Sequence, residues 1–197
     1  MKIVTTFAVV EESLYSVLFD TELNAVDDDN NIIPKEKLHE FRRLFDFWND
    51  QMLLREFFEE HQEDLKEVYW DGITIDEAID KTRAEAKELE RTLLEYAEEG
   101  KTIRLKNLSM LFTPLSEGKI EKDFEKDKVK VDGKKTWIRL YAIRIEANLF
   151  VVSGGAIKLR KTLNDRNYLL KELDKLEITR KHLMDEDSDA LELFELY

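Results

Sequence analysis

The chain has 197 residues, of which 43% are hydrophobic and 38% are charged, and its net charge is −13. This length and apolar content suit one globular domain with a real core, and the low content of proline and glycine excludes a collagen-like or Pro/Gly-rich disordered chain. The absence of cysteine excludes disulfides, Cys-ligated metal sites and thiol catalysis, and no stretch approaches the ~18 apolar residues that span a membrane.

The charge is distributed unevenly along the chain. Residues 1–100 carry a net charge of −16, residues 101–161 carry +8, and residues 162–197 carry −5. The basic segment can pair with acidic helices of the same molecule or bind an external polyanion, and both readings stay open at this point. Because Glu11 and Glu12 interrupt the first apolar run, it is not typical of a signal peptide, and we expect a cytoplasmic protein.

The N-terminal third predicts a hairpin followed by two helices. Residues 2–10 and 14–20 are rich in β-branched and aromatic side chains and predict two antiparallel strands. The polar residues 21–34 predict a loop, whose acidic cluster lacks the spacing of a calcium-binding loop, so no metal site is predicted. Apolar residues at helical spacing then predict helices over about 35–48 and 50–61, with their aromatic side chains in the core.

The middle of the chain predicts one long helix and then an irregular region. Thr74 and Glu77 form a capping-box pattern, which predicts a helix over about 75–99. Dense alternating charge predicts a mobile loop over residues 119–130, with Val129 and Val131 as a short strand at its end.

The C-terminal part predicts a β-meander and a last helix. Residues 136–145 predict the clearest strand, and the tight turn after it contains Asn148, a residue type that is able to take a positive φ. Residues 149–153 predict the return strand, and the Gly-Gly pair at 154–155 either breaks it or allows a close backbone approach. A helix is predicted over about 164–183.

These elements predict an α+β fold, in which a small antiparallel sheet packs against several helices. The sheet combines the N-terminal hairpin with the C-terminal β-meander. We expect a single domain over residues 1–185 and an acidic C-terminal tail over residues 186–197.

No complete catalytic or cofactor motif occurs in the chain. It has no HExxH pattern, P-loop or dinucleotide fingerprint, and its three histidines are scattered, so no cofactor is predicted. The strongest functional pattern is the basic hairpin from Lys134 to Lys161. Its first strand alternates so that Arg139 and Tyr141 share one face while Arg144 lies on the other.

Positive side chains of this hairpin predict a contact with a polyanion. Arginine, lysine and tyrosine together can bind a phosphodiester backbone. They can also cleave RNA without metal, because a base can take the 2′-OH proton while guanidinium stabilises the charge that develops on phosphate. The substrate-binding candidates are Tyr141, Lys134, Lys135 and Arg160.

The hairpin pattern R-L-Y-A-I-R, followed by F-V-V-S-G-G-A-I-K-L-R-K-T and a helix, resembles the C-terminal half of RelE/ParE-superfamily toxins, and the HigB-like branch most closely. The resemblance implies a RelE-like fold with a helical insertion, and a toxin that binds RNA or ribosome-bound mRNA and cleaves it. It also implies a small helix-turn-helix antitoxin as partner. Carried over residue by residue, it implies Arg139, Arg144, Lys158 and Lys161 as catalytic residues, with Tyr141 in support.

Two other functions fit the same sequence. A non-enzymatic protein-interaction module would use the acidic helices or the apolar tail, and its basic residues would pair internally with Asp or Glu. An acidic nucleic-acid mimic would space carboxylates along one face like backbone phosphates, and its binding would weaken with added salt. A toxin instead requires the four catalytic candidates to share one solvent-facing groove.

Overall fold

The secondary structure follows the predicted order of elements. Within the described residues the computed structural model contains eight strands, five α-helices and a short 3-10 helix. No helix among these residues is long and apolar enough to cross a membrane. The predicted acidic tail at 186–197 lies outside the described residues. The structure describes residues 1–20, 25–26, 32–33, 38–66, 70, 72–103, 105–115, 125–129, 136–160 and 166–185.

The bounds of the elements place the helices between an N-terminal hairpin and a C-terminal meander. The strands are β1 (Lys2–Val10), β2 (Leu14–Asp20), β3 (Ala25–Val26), β4 (Ile32–Ile33), β5 (Thr113–Pro114), β6 (Glu125–Val129), β7 (Ile138–Glu146) and β8 (Leu149–Ile157). The helices are α1 (Glu40–Asn49), α2 (Gln51–Glu60), α3 (Gln62–Leu65), α4 (Ile75–Glu99) and α5 (Asn167–Met184), and the 3-10 helix is Leu108–Met110.

One six-stranded sheet has the order β1-β2-β8-β7-β6-β5, and β3 pairs only with β4. The α+β prediction is therefore confirmed, and so is the joining of the N-terminal hairpin to the C-terminal meander in one sheet. The predicted antiparallel sheet is mixed, however, because Leu14–Ser16 of β2 pairs parallel with Phe150–Val152 of β8. Between these strands the chain passes through the helices α1–α4 and the strands β5–β7, and the β7–β8 hairpin then sets β8 parallel to β2.

The helix starts are set by local capping. The side chain of Thr74 accepts the N–H of Glu77, and the Glu77 carboxylate accepts the N–H of Thr74, so the predicted capping box is present. Asp50 ends α1 and caps α2, since its carboxylate accepts the N–H groups of Met52 and Leu53. This cap explains the break that the sequence shows between the two helices.

The Gly-Gly pair does not break the return strand, because β8 runs without interruption through Gly154 and Gly155. A Cβ at Gly154 would lie 2.2 Å from a carboxylate oxygen of Glu172, and a Cβ at Gly155 would lie 2.8 Å from the carbonyl oxygen of Arg139. The close-approach reading is therefore confirmed, and the predicted interruption is wrong.

Two further features of the structure differ from the sequence analysis. Part of the expected mobile loop, Glu125–Val129, is the strand β6 and pairs with β7. Asn148 is not among the described residues with a positive φ; its side chain instead accepts the N–H of Leu108 and donates to the carbonyl of Ala97. The turn is thus stabilised by side-chain hydrogen bonds to α4 and to the 3-10 helix.

The sheet separates two apolar cores. The larger core lies against α1, α2 and α4 and contains Trp48, Phe58 and Trp137. The smaller core lies under α5 and contains Tyr141 and Leu176. This two-sided burial means that successive side chains of the central strand β7 enter different cores.

Candidate functional site

The two arginines of β7 lie on opposite faces of the sheet. Tyr141 packs in the core under α5, and Arg139 shares its face by strand alternation. Arg144 instead lies over the ring of Phe150, which belongs to the larger core, with its guanidinium carbon 5.5 Å from the ring centre. The sheet itself therefore stands between the two arginines that the sequence analysis assigned to one site.

Arg144 is neutralised by a carboxylate of the neighbouring strand. Its Nη2 atom lies 2.9 Å from Oδ2 of Asp127, whose side chain is completely buried. Asp127 pairs in the β6–β7 ladder with Ala142, two residues from Arg144. A buried carboxylate requires a partner of this kind, because an unpaired charge in the interior is strongly disfavoured.

Arg160 is held by a second buried carboxylate. Asp64 of α3 is fully buried and accepts a hydrogen bond of 2.8 Å from Nε of Arg160. The same carboxylate accepts hydrogen bonds from Nε of Arg166 at 3.0 Å and from its Nη2. Burial alone would raise the pKa of Asp64, but the hydrogen bonds from Arg166 and Arg160 outweigh it and lower the pKa.

The surroundings of Arg139 and Tyr141 are not those of side chains that line an open groove. Arg139 donates to Oγ1 of Thr136 at 3.3 Å and to the carbonyl of Ile138 at 2.7 Å. Tyr141 is completely buried, and its hydroxyl has no hydrogen-bond partner among the described residues. Burial raises the pKa of the Tyr141 hydroxyl well above its ordinary value, so this hydroxyl stays protonated.

The remaining predicted residues are described only in part. Lys158 is half-buried, and its backbone N–H donates to the carbonyl of Trp137 at 2.8 Å. Lys134, Lys135 and Lys161 lie outside the described residues. Of the predicted site residues that the structure describes, Arg139 and Tyr141 share a face, whereas Arg144 and Arg160 occupy two other environments.

The end of β8 is clamped between two helical regions. The indole N–H of Trp70 donates to the carbonyl of Leu159 at 2.6 Å, and the hydroxyl of Tyr168 donates to the carbonyl of Ile157 at 2.9 Å. Together with the Asp64–Arg160 contact, these bonds fix the segment that leads out of the hairpin. Over its described part, this segment is therefore held in place by hydrogen bonds to the helical regions and does not form an open basic loop.

A second polar network lies where α5 crosses β8. Lys175, which is almost fully buried, donates to the carboxylates of Glu40 at 3.0 Å and Glu172 at 2.8 Å. Glu172 also accepts the backbone N–H of Gly155 at 2.9 Å, and Arg43 binds Glu40 at 2.6 Å. Two acids and two bases balance each other here, so this network links α1, β8 and α5 without a net charge.

The carboxylate partners Asp64, Asp127 and Glu172 were not identified from the sequence. Each acid sits among many other charged residues, and its burial depends on contacts across the fold. The sequence around Asp64 contains only a weak indication that this carboxylate is buried, namely that Asp64 immediately precedes the core residue Leu65. Among the side chains that the structure describes, no group of three His, Asp or Glu could hold a metal ion.

Comparisons with known proteins give no relative of this chain. No family model matches the sequence, and neither a curated protein nor a solved structure matches it. The function must therefore be argued from the geometry and chemistry of the residues themselves.

Proposed function

We propose that this chain is a non-enzymatic protein-interaction module. The observation that carries the proposal is the pairing of two predicted catalytic or binding arginines with internal carboxylates. Arg144 is paired with Asp127, and Arg160 shares Asp64 with Arg166; both carboxylates are fully buried. Binding of a phosphodiester backbone needs positive charge that internal acids do not already compensate.

Burial and face assignment support the same proposal. One polyanion groove cannot contact both Arg139 and Arg144 when the sheet lies between them. Tyr141 is completely buried beneath α5 and has no surface with which to stack on a base. These contacts suit a structural role for the hairpin, in which its cations hold strands and helices together.

A distinctive exposed surface of the described residues is the turn after α4, whose residues 103 and 105–110 we call the 103–110 turn. It exposes the large apolar side chains of Ile103, Leu105 and Met110, with Leu105 at 85% of full exposure. Its base is fixed, because Leu108 is completely buried and Ser109 donates its N–H to the carbonyl of Ala147. Apolar side chains presented on an anchored turn are typical of protein-binding surfaces.

The surroundings of this turn indicate the chemistry of the partner. The end of α4 carries Glu95, Glu98 and Glu99 beside the turn, and Lys101 and Lys106 already bind these carboxylates. The whole chain has a net charge of −13. We therefore propose a protein partner with an apolar patch and a basic surround, since a net-acidic chain attracts such a surface.

A photo-crosslinking amino acid can test the proposal in cells. Placed at Leu105, it should give one discrete protein adduct, and the double variant Ile103→Ser/Met110→Ser should remove that adduct. The matched control is the same crosslinker at Met52, which is also highly exposed but lies on α2. Equal adduct patterns at both positions, or an adduct that survives the double variant, would contradict the proposal.

A second candidate is the RelE/HigB-like toxin with a small helix-turn-helix antitoxin. It is favoured by the meander β6–β7–β8, which follows several helices, and by the two glycines of β8 that lead towards Lys158 and Arg160. In this reading, RNA would contact the segment after β8.

Expression in a bacterial host separates the two candidates. The toxin reading expects growth arrest with loss of transcript integrity, and it expects Arg139→Ala to relieve both. The interaction reading expects normal growth and intact transcripts with either chain. Arg139 is the residue changed in this comparison because the resemblance assigns it a catalytic role.

A further inference from the structure

The two edges of the six-stranded sheet differ in how well they are protected against a further strand. At one edge, β5 is two residues long, and its second residue is Pro114, which has no N–H group to donate. At the other edge, β1 is nine residues long, and within the described part of the chain it pairs with β2 alone. A long outer strand presents N–H and C=O groups that can pair with another chain.

The sequence of β1 lacks the usual protection of an edge strand. Residues 3–10 read IVTTFAVV and include no charged residue and no proline. The side chains of Val4 and Phe7 are 50% and 41% exposed. Because charged side chains and proline are what commonly prevent edge-to-edge pairing, β1 is the edge of this sheet that suits an added strand.

Two irregularities limit the length of that contact. The register of β1 against β2 shifts once between Ile3 and Thr5 and once between Ala8 and Val10. Such irregularities bend and twist an edge strand, so an added strand follows best the regular stretch between them, Thr5–Ala8. The contact is therefore short, which predicts weak and reversible association.

Phe7 lies within this regular stretch and is held by a contact with α1. Its ring stacks on His39 with the ring centres 5.5 Å apart. His39 is in turn the N-cap residue of α1 and accepts the backbone N–H of Arg42. A partly exposed aromatic ring that is already oriented loses little freedom on binding, which suits the centre of an interface.

The charges at the two ends of β1 favour a second copy of this chain in antiparallel orientation. Lys2 begins the strand, whereas Glu11 and Glu12 directly follow its end, and all three side chains are exposed. Asp20 lies opposite Lys2 in the β1–β2 ladder, so the Lys2 end is nearly neutral and the other end is negative. Antiparallel pairing brings unlike ends together, whereas parallel pairing would set the glutamates of the two copies side by side.

The net charge of the whole chain opposes self-association. Each copy carries a net charge of −13, which repels the other copy at long range. At an ionic strength of about 0.15 M the Debye length is about 8 Å, so charges far from the contact are largely screened. The charges at the ends of β1 remain close enough to interact.

We propose that β1 pairs antiparallel with β1 of a second copy, joining the two six-stranded sheets into one across a twofold axis. The axis passes at or beside Phe7, near the middle of the strand, so the two Phe7 rings lie close together. Main-chain hydrogen bonds supply the affinity, and the end charges set the orientation.

Sedimentation velocity of the full chain, from about 1 µM to 1 mM at about 0.15 M salt, tests the proposal. We expect a reversible monomer–dimer equilibrium with a Kd of about 10–100 µM, in the range of weak interfaces. Phe7→Glu should weaken dimerisation at least about tenfold, because it removes an apolar contact and brings like charges together near the axis.

Leu53→Glu is the matched control, since Leu53 is 44% exposed, lies on α2 and changes the net charge by the same amount. It should dimerise like wild type, and urea denaturation of both variants checks that each is folded. The proposal is overturned if Phe7→Glu and Leu53→Glu affect dimerisation equally. A chain that stays monomeric up to about 1 mM also overturns it and leaves the edge to a strand of a different protein.

Exchanging the end charges tests the orientation without changing the core. Lys2→Glu should weaken the dimer about twofold to fivefold, as expected for exposed charges, and Lys2→Glu/Glu11→Lys should restore it. An unaffected dimer in Lys2→Glu, or no restoration in the double variant, would contradict antiparallel pairing. None of these results bears on the protein-interaction proposal, which concerns the 103–110 turn and is tested by crosslinking.

Discussion

Arg144 and Asp127 form an ion pair of 2.9 Å across the neighbouring strands β7 and β6, and the carboxylate is completely buried. The arginine is about one-quarter exposed and lies over the ring of Phe150. This pair shows how a basic strand is accommodated in an acidic protein: its guanidinium compensates a carboxylate that the fold has removed from water.

Replacing Arg144 with methionine should destabilise the protein, because Asp127 would keep its burial and lose its countercharge. Breaking a fully buried pair costs about 3–5 kcal/mol, and the partial exposure of Arg144 reduces the expected loss to roughly 1–3 kcal/mol. Urea denaturation should show a lower midpoint with an unchanged slope. Arg42→Met is the matched control, since Arg42 and Asp46 form an exposed pair, and a loss as large as that of Arg144→Met would contradict the argument.

The free energy of unfolding should depend on pH through Asp64. Because Arg166 and Arg160 lower its pKa in the folded state, the unfolded chain takes up the proton more readily. The stabilisation is thus complete above the unfolded pKa and is lost as pH falls from about 5 through the folded pKa. Urea denaturation at several pH values should show a steeper acid decline for wild type than for Asp64→Asn, whereas parallel curves would rule out this role.

Gly154 and Glu172 should be energetically coupled. A Cβ at position 154 would displace the Glu172 carboxylate, which accepts the N–H of Gly155 and binds Lys175. Gly154→Ala should therefore cost about 1–3 kcal/mol, the loss of a buried hydrogen bond to a charged group. In a double-mutant cycle the same change should cost less in a Glu172→Ala background, and additive losses would show that the two residues do not interact.

Thr74→Ala should shorten or fray the start of α4. The change removes the hydroxyl that accepts the N–H of Glu77 and donates to the Glu77 carboxylate. We expect a loss of about 1 kcal/mol in the free energy of unfolding and faster amide exchange in the first turn. Thr74→Ser keeps the hydroxyl and should behave like wild type; an equal loss in both variants would assign the effect to the methyl group.

Local chemistry made several parts of the fold predictable. The capping box at Thr74 and Glu77 sets the start of α4, and β-branched and aromatic side chains predict β1, β2 and β7. The resemblance to RelE-like toxins was also a local pattern, and it remains a prediction about function. These signals depend on residues only a few positions apart, so the sequence carries them directly.

The environment of each cation could not be predicted in this way. Asp64 and Arg160 are 96 positions apart in the sequence, and they meet only because α3 packs beside the end of β8. The alternation of β7 did separate Arg139 from Arg144, yet only the two-sided core turns that separation into two different environments. The strand pairing and the burial of each face of the sheet decide which groups surround a strand arginine, as the pairing of Arg144 with Asp127 of β6 shows.

The sequence by itself determined the long helices, the strands of the two hairpins, their order and the strong asymmetry of charge, because each is a property of neighbouring residues or of composition. Only the tertiary structure decided which charges remain for a partner. A buried carboxylate such as Asp127 or Asp64 must be paired with a cation, because an unpaired charge in the interior is strongly disfavoured. Whether a carboxylate is buried depends on how the sheet and the helices assemble, and no single segment determines it.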